Sequence, residues 1–180
     1  MISITKNGKQ LDESLYTIDR QTKTFSSNED WLKIETDESK WTFNTCSFCT
    51  LNTGSFCTLN TGPSCIFNTG ANCIFNTGAN CIFDTGSFCM FKTSYECKFD
   101  TGSHCTFCTD NFCTFKTGEK CVCVRRDIYE IVEIPKGKKV KLNSYGVKGF
   151  VLCSDEEKTI EIEGKKFTIS ELKDLIAKAE

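Results

Sequence analysis

Apolar and polar positions alternate along the middle of the chain in repeated units of eight residues. From residue 49 to residue 126, ten octads follow one another, nearly all of the form Cys-x-Phe/Leu-x-Thr-Gly-x-x. Alternation with a period of two predicts a strand with one buried face, and Phe, Thr and Cys suit such a face. We therefore expect positions one, three and five to point inward, and positions two and four to point outward.

The sixth position of the octad predicts a corner. It is Gly in seven octads, and Ser94 and Asp110 replace the glycine in two others. Because glycine adopts positive φ angles at little cost, we expect the chain to turn sharply at these glycines. Each octad then forms a strand of about five residues and a corner of about three.

A single octad is too short to enclose a filled core. Eight residues at ~3.3 Å each give a perimeter of about 26 Å, whereas two packed sheets need about 10 Å between them. Two octads per coil, one on each of two opposed sheets, predict a mainly β fold, a β-solenoid of about five coils over residues 41–126. The alternative is a flat antiparallel meander, which would leave an apolar face uncovered.

Smaller elements flank the repeats. Residues 1–40 predict an N-terminal β cap, with degenerate first rungs at Thr24-Phe25 and at 32–34. Residues 127–180 predict an α+β cap, with a hairpin over 159–167 and a final amphipathic helix that starts after Ser170. That helix either covers the end of the solenoid or mediates homo-oligomerisation. Together the three segments predict one elongated domain with small caps.

Charge and composition narrow the classes of partner. The formal net charge is −2 over 180 residues, so we expect no nucleic-acid partner. No apolar run is long enough to span a bilayer or to serve as a signal peptide, which predicts neither a membrane location nor secretion.

The 14 cysteines suggest either a disulfide framework or a reduced core. Inward thiols stacked in register favour reduced, buried cysteines and therefore a reducing cytoplasm. Zinc would need two close cysteine pairs that converge. In each close pair, Cys46 with Cys49, Cys105 with Cys108, and Cys121 with Cys123, one member belongs to the core ladder. We therefore predict no metal and no cofactor.

Signals for catalysis are poor. The single histidine, His104, lies at a corner position, and no Ser-His-Asp set can be assembled around it. The glycines recur every eight residues as corner residues and form no phosphate-binding loop. We therefore predict no catalytic residues and a protein that is not an enzyme.

Two candidate surfaces remain. Outward apolar residues and corner phenylalanines predict a protein-binding surface, in which Ile66 and Ile82 stack on one face of the solenoid and Ile74 and Met90 on the other. A basic cluster after the last octad predicts an anion contact. The candidate partner surface comprises Ile66, Ile74, Ile82, Met90, Phe56 and Phe88, and the candidate anion contact comprises Arg125, Arg126, Lys138 and Lys139.

The run Cys-Ile-Phe-Asn-Thr-Gly-Ala-Asn-Cys-Ile-Phe, followed by Cys-Val-Cys-Val-Arg-Arg-Asp at residues 121–127, resembles octapeptide-repeat proteins encoded by tailed bacteriophages. The resemblance covers residues 41–150. It implies a β-solenoid made in the cytoplasm of an infected bacterium, and it carries no catalytic residues. Ser94, Asp110 and Cys108 depart from the repeat in the middle of the array and suggest a contact surface.

These observations lead to three functional expectations. The first is a non-enzymatic β-solenoid module that binds a host or phage protein, for example as an inhibitor of a host defence system. The second is a structural part of the virion, such as a spike or a decoration protein. The third is a sponge for a small ligand or nucleotide that uses the basic C-terminal part. The fold alone does not choose among them.

Overall fold

Parallel strands that wind around a common core make up most of the protein. The computed structural model describes residues 2–153 and, further on, the strands Thr159–Ile162 and Lys165–Thr168. Successive solenoid strands alternate between two sheets, which we call sheet A and sheet B. Within the described residues the only helical element is the short 3-10 helix Glu13–Leu15.

The strands are numbered in chain order. The N-terminal cap contains β1 (Ser3–Lys6), β2 (Lys9–Gln10) and β3 (Tyr16–Asp19). The solenoid strands of sheet A are β5 (Leu32–Glu35), β7 (Thr50–Thr53), β9 (Ile66–Thr69), β11 (Ile82–Thr85), β13 (Lys98–Thr101) and β15 (Thr114–Thr117). Those of sheet B are β4 (Thr24–Ser27), β6 (Thr42–Asn44), β8 (Thr58–Asn60), β10 (Ile74–Asn76), β12 (Met90–Lys92), β14 (Thr106–Thr109) and β16 (Cys121–Arg125). The C-terminal strands are β17 (Glu130–Ile134), β18 (Lys139–Leu142), β19 (Phe150–Leu152), β20 (Thr159–Ile162) and β21 (Lys165–Thr168).

The strand register confirms two octads per coil. Ile66 pairs with Ile82 on sheet A, and Ile74 pairs with Met90 on sheet B, so that each residue lies beside the one sixteen positions later. The ladders are parallel, as a closed coil requires, and the meander is therefore excluded. The degenerate rungs at Thr24-Phe25 and at 32–34 pair in parallel with the first full rungs, which brings the solenoid to about six turns.

Antiparallel strands close both ends of the solenoid. At the start, β1 reverses direction against β5, and β3 does so against β4. At the far end, β17 pairs antiparallel with β16, and β18 with β15. These caps cover the terminal strands that would otherwise pair with other chains. The predicted hairpin is present as the antiparallel pair β20–β21, whereas the predicted final helix lies outside the described residues.

The core is built from stacked columns of like residues. Cys, Phe or Leu, and most of the Thr side chains of the octads are buried, as predicted. Within one sheet the Phe67 and Phe83 rings stack with centroids 4.9 Å apart, and across the core Phe75 meets Phe83 edge to face at 5.2 Å. Aromatic pairs of this kind contribute about 0.5–1.5 kcal/mol each beyond the area that they bury.

The predicted role of the octad glycines is wrong. The positive φ angles lie at position eight, on non-glycine residues such as Phe56 (φ 60°) and Asn72 (φ 60°), whose amides donate to carbonyls of the next coil. The glycines at position six lie where one corner crosses another. A Cβ atom on Gly86 would lie 2.8 Å from the backbone nitrogen of Ala71 in the preceding coil. Close stacking of the corners therefore leaves no room for a Cβ atom at these glycines, whereas Ser94, Asp110 and Arg126 occupy the equivalent position along one corner.

Candidate functional site

The sixteen-residue register divides the octads between two outer surfaces with different chemistry. Alternate octads contribute their outward side chains to sheet A and to sheet B. We call the outward side of β10, β12, β14, β16 and β17 the B face. We call the outward side of β11, β13, β15 and β18, at the same height of the solenoid, the A face.

The B face is mostly apolar. One column along the solenoid runs from Ile74 through Met90 and Thr106 to Val122, and a parallel column includes Cys108, Val124 and Ile131. Its most exposed apolar side chains are Met90 and Ile131, at 52% and 73%. The complete set is Ile74, Asn76, Met90, Lys92, Thr106, Cys108, Val122, Val124, Ile131 and Glu133.

Charge distinguishes the two faces. Of the ten outward residues of the B face, two are charged, Lys92 and Glu133. Of the eight outward residues of the A face, six are charged, and only Ile82 and Thr114 are not. Contiguous apolar surface with few charges characterises the centre of protein interfaces. The B face is therefore the stronger candidate for contact with a protein.

The structure divides the predicted partner surface. Ile74 and Met90 lie on the B face, whereas Ile66 and Ile82 form a separate pair on sheet A, as the spacing predicted. The sequence interpretation did not include Val122, Val124 and Ile131, because the octad pattern ends there. Their signal was the alternation of Cys and Val at residues 121–124 followed by an apolar position in the next strand.

Phe56 and Phe88 occupy one corner of the solenoid. Their side chains are 56% and 57% exposed, and both have φ angles near +60°. Phe88 stacks on His104 with centroids 4.8 Å apart. Along the opposite corner, Phe48 stacks on Trp31 at 4.4 Å. Phe88 and Phe48 are thus partly covered by aromatic neighbours.

The arginines of the predicted anion contact are engaged within the chain. Arg125 is fully buried, and its guanidinium donates to both carboxylate oxygens of Asp127, at 3.1 and 2.6 Å. It also donates to the carbonyl oxygens of Val147 and Ser144. These contacts tie the C-terminal cap to the last coil. Lys138 and Lys139, the other two residues of that prediction, are exposed at the start of β18.

The departures from the repeat form a column of polar contacts. Ser94 Oγ donates to Asp110 Oδ2 at 3.2 Å, and Arg126 Nη2 donates to the same carboxylate oxygen at 2.8 Å and to the carbonyl of Thr93. These residues replace glycine at one corner in three successive coils. Their hydrogen-bond partners lie within the chain. These contacts explain why Ser94 and Asp110 replace glycine, without a surface for an external partner. Cys108 points outward on the B face, as expected for its position in the octad.

The octad thiols are buried and free. Cys73 Sγ donates to the carbonyl oxygens of Ala71 and Gly54, at 3.6 and 3.7 Å, and accepts from the Cys57 amide at 3.4 Å. Contacts with neighbouring thiols, and then burial, raise the pKa of Cys65 and Cys97 above the ordinary range. Burial raises the pKa of Cys123 to about 12. Buried thiols of this kind serve as core side chains and hydrogen-bond donors.

The close pair of Cys105 and Cys108 diverges as predicted, whereas Cys121 and Cys123 are both buried. Cys105 is buried, whereas Cys108, three residues later, lies on the outer surface. Among the residues that the structure describes, no group of three or more His, Cys, Asp and Glu side chains is arranged to hold a metal ion. In the same part of the chain, no helix has the length and hydrophobicity needed to cross a membrane.

Comparisons of the chain with protein-family models, with curated proteins and with solved structures found no match. The geometry of the two faces therefore carries the functional argument.

Proposed function

We propose that this protein is a non-enzymatic β-solenoid module that binds a protein partner through the B face. One observation carries the proposal. The register gathers Ile74, Met90, Val122, Val124 and Ile131 on one side of one sheet, with only two charged residues among ten outward positions.

The energetics favour a protein as the ligand of this surface. Apolar area removed from water contributes about 25 cal/mol per Å², and the four steps between the five strands extend over about 19 Å at ~4.8 Å each. The two-sheet core holds the side chains of the B face in fixed rows. On binding, a partner therefore loses conformational entropy of its own, whereas the solenoid loses little conformational entropy.

The proposed source and cellular location of the protein rest on its resemblance to phage octapeptide-repeat proteins and on its buried thiols. Octapeptide-repeat proteins of tailed bacteriophages are made inside infected bacteria, and a core of reduced cysteines suits a reducing compartment. We therefore propose that the protein is phage-encoded and acts in the host cytoplasm on a host protein, with a component of a defence system as one concrete target.

Affinity capture with a matched pair of variants tests this proposal. The tagged protein is used to capture partners from bacterial lysates with and without phage infection, and the captured proteins are identified by mass spectrometry. I74K/M90K places two lysines on the B face. I66K/I82K makes an equivalent change on sheet A, at side chains of comparable exposure, 46% and 42% against 44% and 52%.

We expect the wild type and I66K/I82K to retain one stoichiometric partner, and I74K/M90K to lose it. Circular dichroism spectra of both variants should match that of the wild type, because all four side chains point outward. Retention of the partner by I74K/M90K, or its loss from both variants alike, would contradict the assignment of the B face.

A further inference from the structure

One edge of sheet A is left open at the C-terminal end of the solenoid. β19 pairs with β18 on one side, and no other strand that the structure describes pairs with it. The hairpin β20–β21 forms a separate two-stranded sheet. We call the unpaired side of β19 the open edge. Such an edge presents a row of backbone N–H and C=O groups that can pair with another chain.

The alternation of hydrogen bonds between β18 and β19 shows which backbone groups face the open edge. The Cys153 amide donates to the carbonyl oxygen of Lys139 at 2.8 Å. Hydrogen-bonded and non-hydrogen-bonded pairs alternate along an antiparallel ladder, so Val151, two residues earlier, also bonds to β18. The N–H and C=O groups of Phe150 and Leu152 therefore point toward the open edge.

The side chains beside the open edge are apolar and exposed. Val151 lies opposite the exposed Lys141, on the outer side of sheet A, and is 52% exposed. Leu152 lies opposite the buried Val140, and hence on the inner side of the sheet, yet it is 65% exposed. The core therefore does not cover β19, and each side of this strand retains apolar surface that a partner strand can bury.

Charge distinguishes β19 from the other edges of the two large sheets. The other three edge strands are β2, β3 and β17. Each of them carries charge, with Lys9 in β2, Asp19 in β3, and Glu130 and Glu133 in β17. β19 carries no charged residue. Charged side chains on an edge strand oppose pairing with other chains, so β19 is the one of these four edges that lacks this protection.

We propose that two copies of the protein form a dimer by antiparallel pairing of β19 with β19 across a two-fold axis. In the register that pairs all three residues of both strands, Phe150 lies opposite Leu152 of the second copy, and Val151 lies opposite Val151 of the second copy. The outward N–H and C=O groups of Phe150 and Leu152 then form two hydrogen-bonded pairs. The edge is complementary to itself, because apolar residues meet apolar residues and no charge is buried. A two-fold dimer closes on itself, so the pairing stops at two copies.

Sedimentation equilibrium of the full-length protein under reducing conditions tests the dimer. The wild type should show a mass that rises with concentration toward twice 20.3 kDa. V151K and V151E each place like charges opposite each other at the two-fold axis, so the dissociation constant of the dimer should rise about tenfold or more. I131K is the matched control, because Ile131 is an exposed apolar residue of another edge strand, β17. It should leave the dimer intact.

An equimolar mixture of V151K and V151E separates strand pairing from a general effect of charge. A lysine and a glutamate then meet across the axis, so the mixture should recover the dimer that each variant alone has lost. Circular dichroism melts should show V151K, V151E and I131K folded like the wild type, because the side chains of Val151 and Ile131 are exposed.

Four results would overturn the proposal. These are a wild type that is monomeric at every concentration, a dimer that V151K does not weaken, equal weakening by I131K and V151K, or no recovery in the mixture. Sedimentation needs no captured partner. Failure of the dimer is therefore distinguishable from failure of the B face as a protein-binding surface.

Discussion

At the scale of the residue, positions six and eight of the octad are under different steric constraints. Position eight tolerates side chains as different as phenylalanine, asparagine, histidine and lysine, although its φ angle is positive. Position six is restricted where it is glycine, because the corner of one coil passes within contact distance of the preceding one. The residue with the unusual backbone angle is therefore variable, and the residue with the ordinary angle is the constrained one.

Gly86→Ala should destabilise the protein more than Phe88→Asn. The new Cβ would lie 2.8 Å from a backbone nitrogen of the neighbouring coil, and overpacking of this kind costs about 1–3 kcal/mol. Asparagine already occupies the equivalent corner position at Asn72, so Phe88→Asn should change the free energy of unfolding by less than about 0.5 kcal/mol. Urea unfolding measures both changes, and equal stabilities of the two variants would refute the stacking explanation.

The Cys123 thiol should make stability fall at alkaline pH. Burial raises its pKa from 9.0 to about 12 in the folded protein, so the unfolded chain loses this proton first. The stability linked to Cys123 is present in full below about pH 9 and is lost between about pH 9 and pH 12. The slope reaches at most about 1.4 kcal/mol per pH unit.

Urea unfolding under reducing conditions at pH 8, 9, 10 and 11 checks this linkage. Cys123→Val removes the thiol and keeps an apolar side chain opposite Val132. The decline in stability should therefore be shallower in the variant than in the wild type, while lysines and the remaining thiols contribute equally to both. Parallel declines would show that Cys123 does not carry the effect.

At the scale of the element, the octad is the unit that can be added or removed. Each strand pairs with strands one coil away, and each corner stacks on the corner of the preceding coil. Stability of such arrays is approximately a sum over repeats and their interfaces. The caps pair with the terminal coils at their own ends, so they do not require a fixed number of octads between them.

Deletion of residues 65–72 should leave a folded solenoid. Removing this octad places Gly78 over Ser55 and Gly86 over Pro63, and both residues beneath already accept a glycine from the coil above. Deletion of residues 73–76 removes half an octad, which shifts every later side chain out of its column and should abolish cooperative unfolding. Circular dichroism melts compare the two deletions, and a cooperative transition in the four-residue deletion would contradict the octad as the structural unit.

At the scale of the whole molecule, the period of the repeat predicted the solenoid and the register of its columns. It did not predict the contacts of the C-terminal cap. The stacking of Ile74 on Met90 and of Ile66 on Ile82 followed from two octads per coil, because each residue then lies beside the residue sixteen positions later. The burial of Arg125 and the pairing of Lys116 with Lys139 could not be predicted. Both depend on how the aperiodic segment after residue 126 folds back onto the last coil.

The two outer faces of the solenoid differ in their charge. The B face carries two charged residues among its ten outward positions, and the A face carries six among eight. The two-sheet core lies between the faces, so a partner bound to the B face would leave the A face uncovered. Ser94, Asp110 and Arg126 strengthen one corner between the faces through contacts within the chain.

Hydroxyl-radical footprinting of the protein, free and bound to its captured partner, shows which face of the solenoid the partner covers. Met90 is a natural reporter, because its thioether reacts readily with oxidants, its side chain is 52% exposed, and it lies on the second of the five strands of the B face. We expect the partner to protect Met90, Ile74 and Ile131, and to leave Ile66 and Ile82 as reactive as in the free protein. Protection of Ile66 and Ile82 with Met90 still reactive would contradict it.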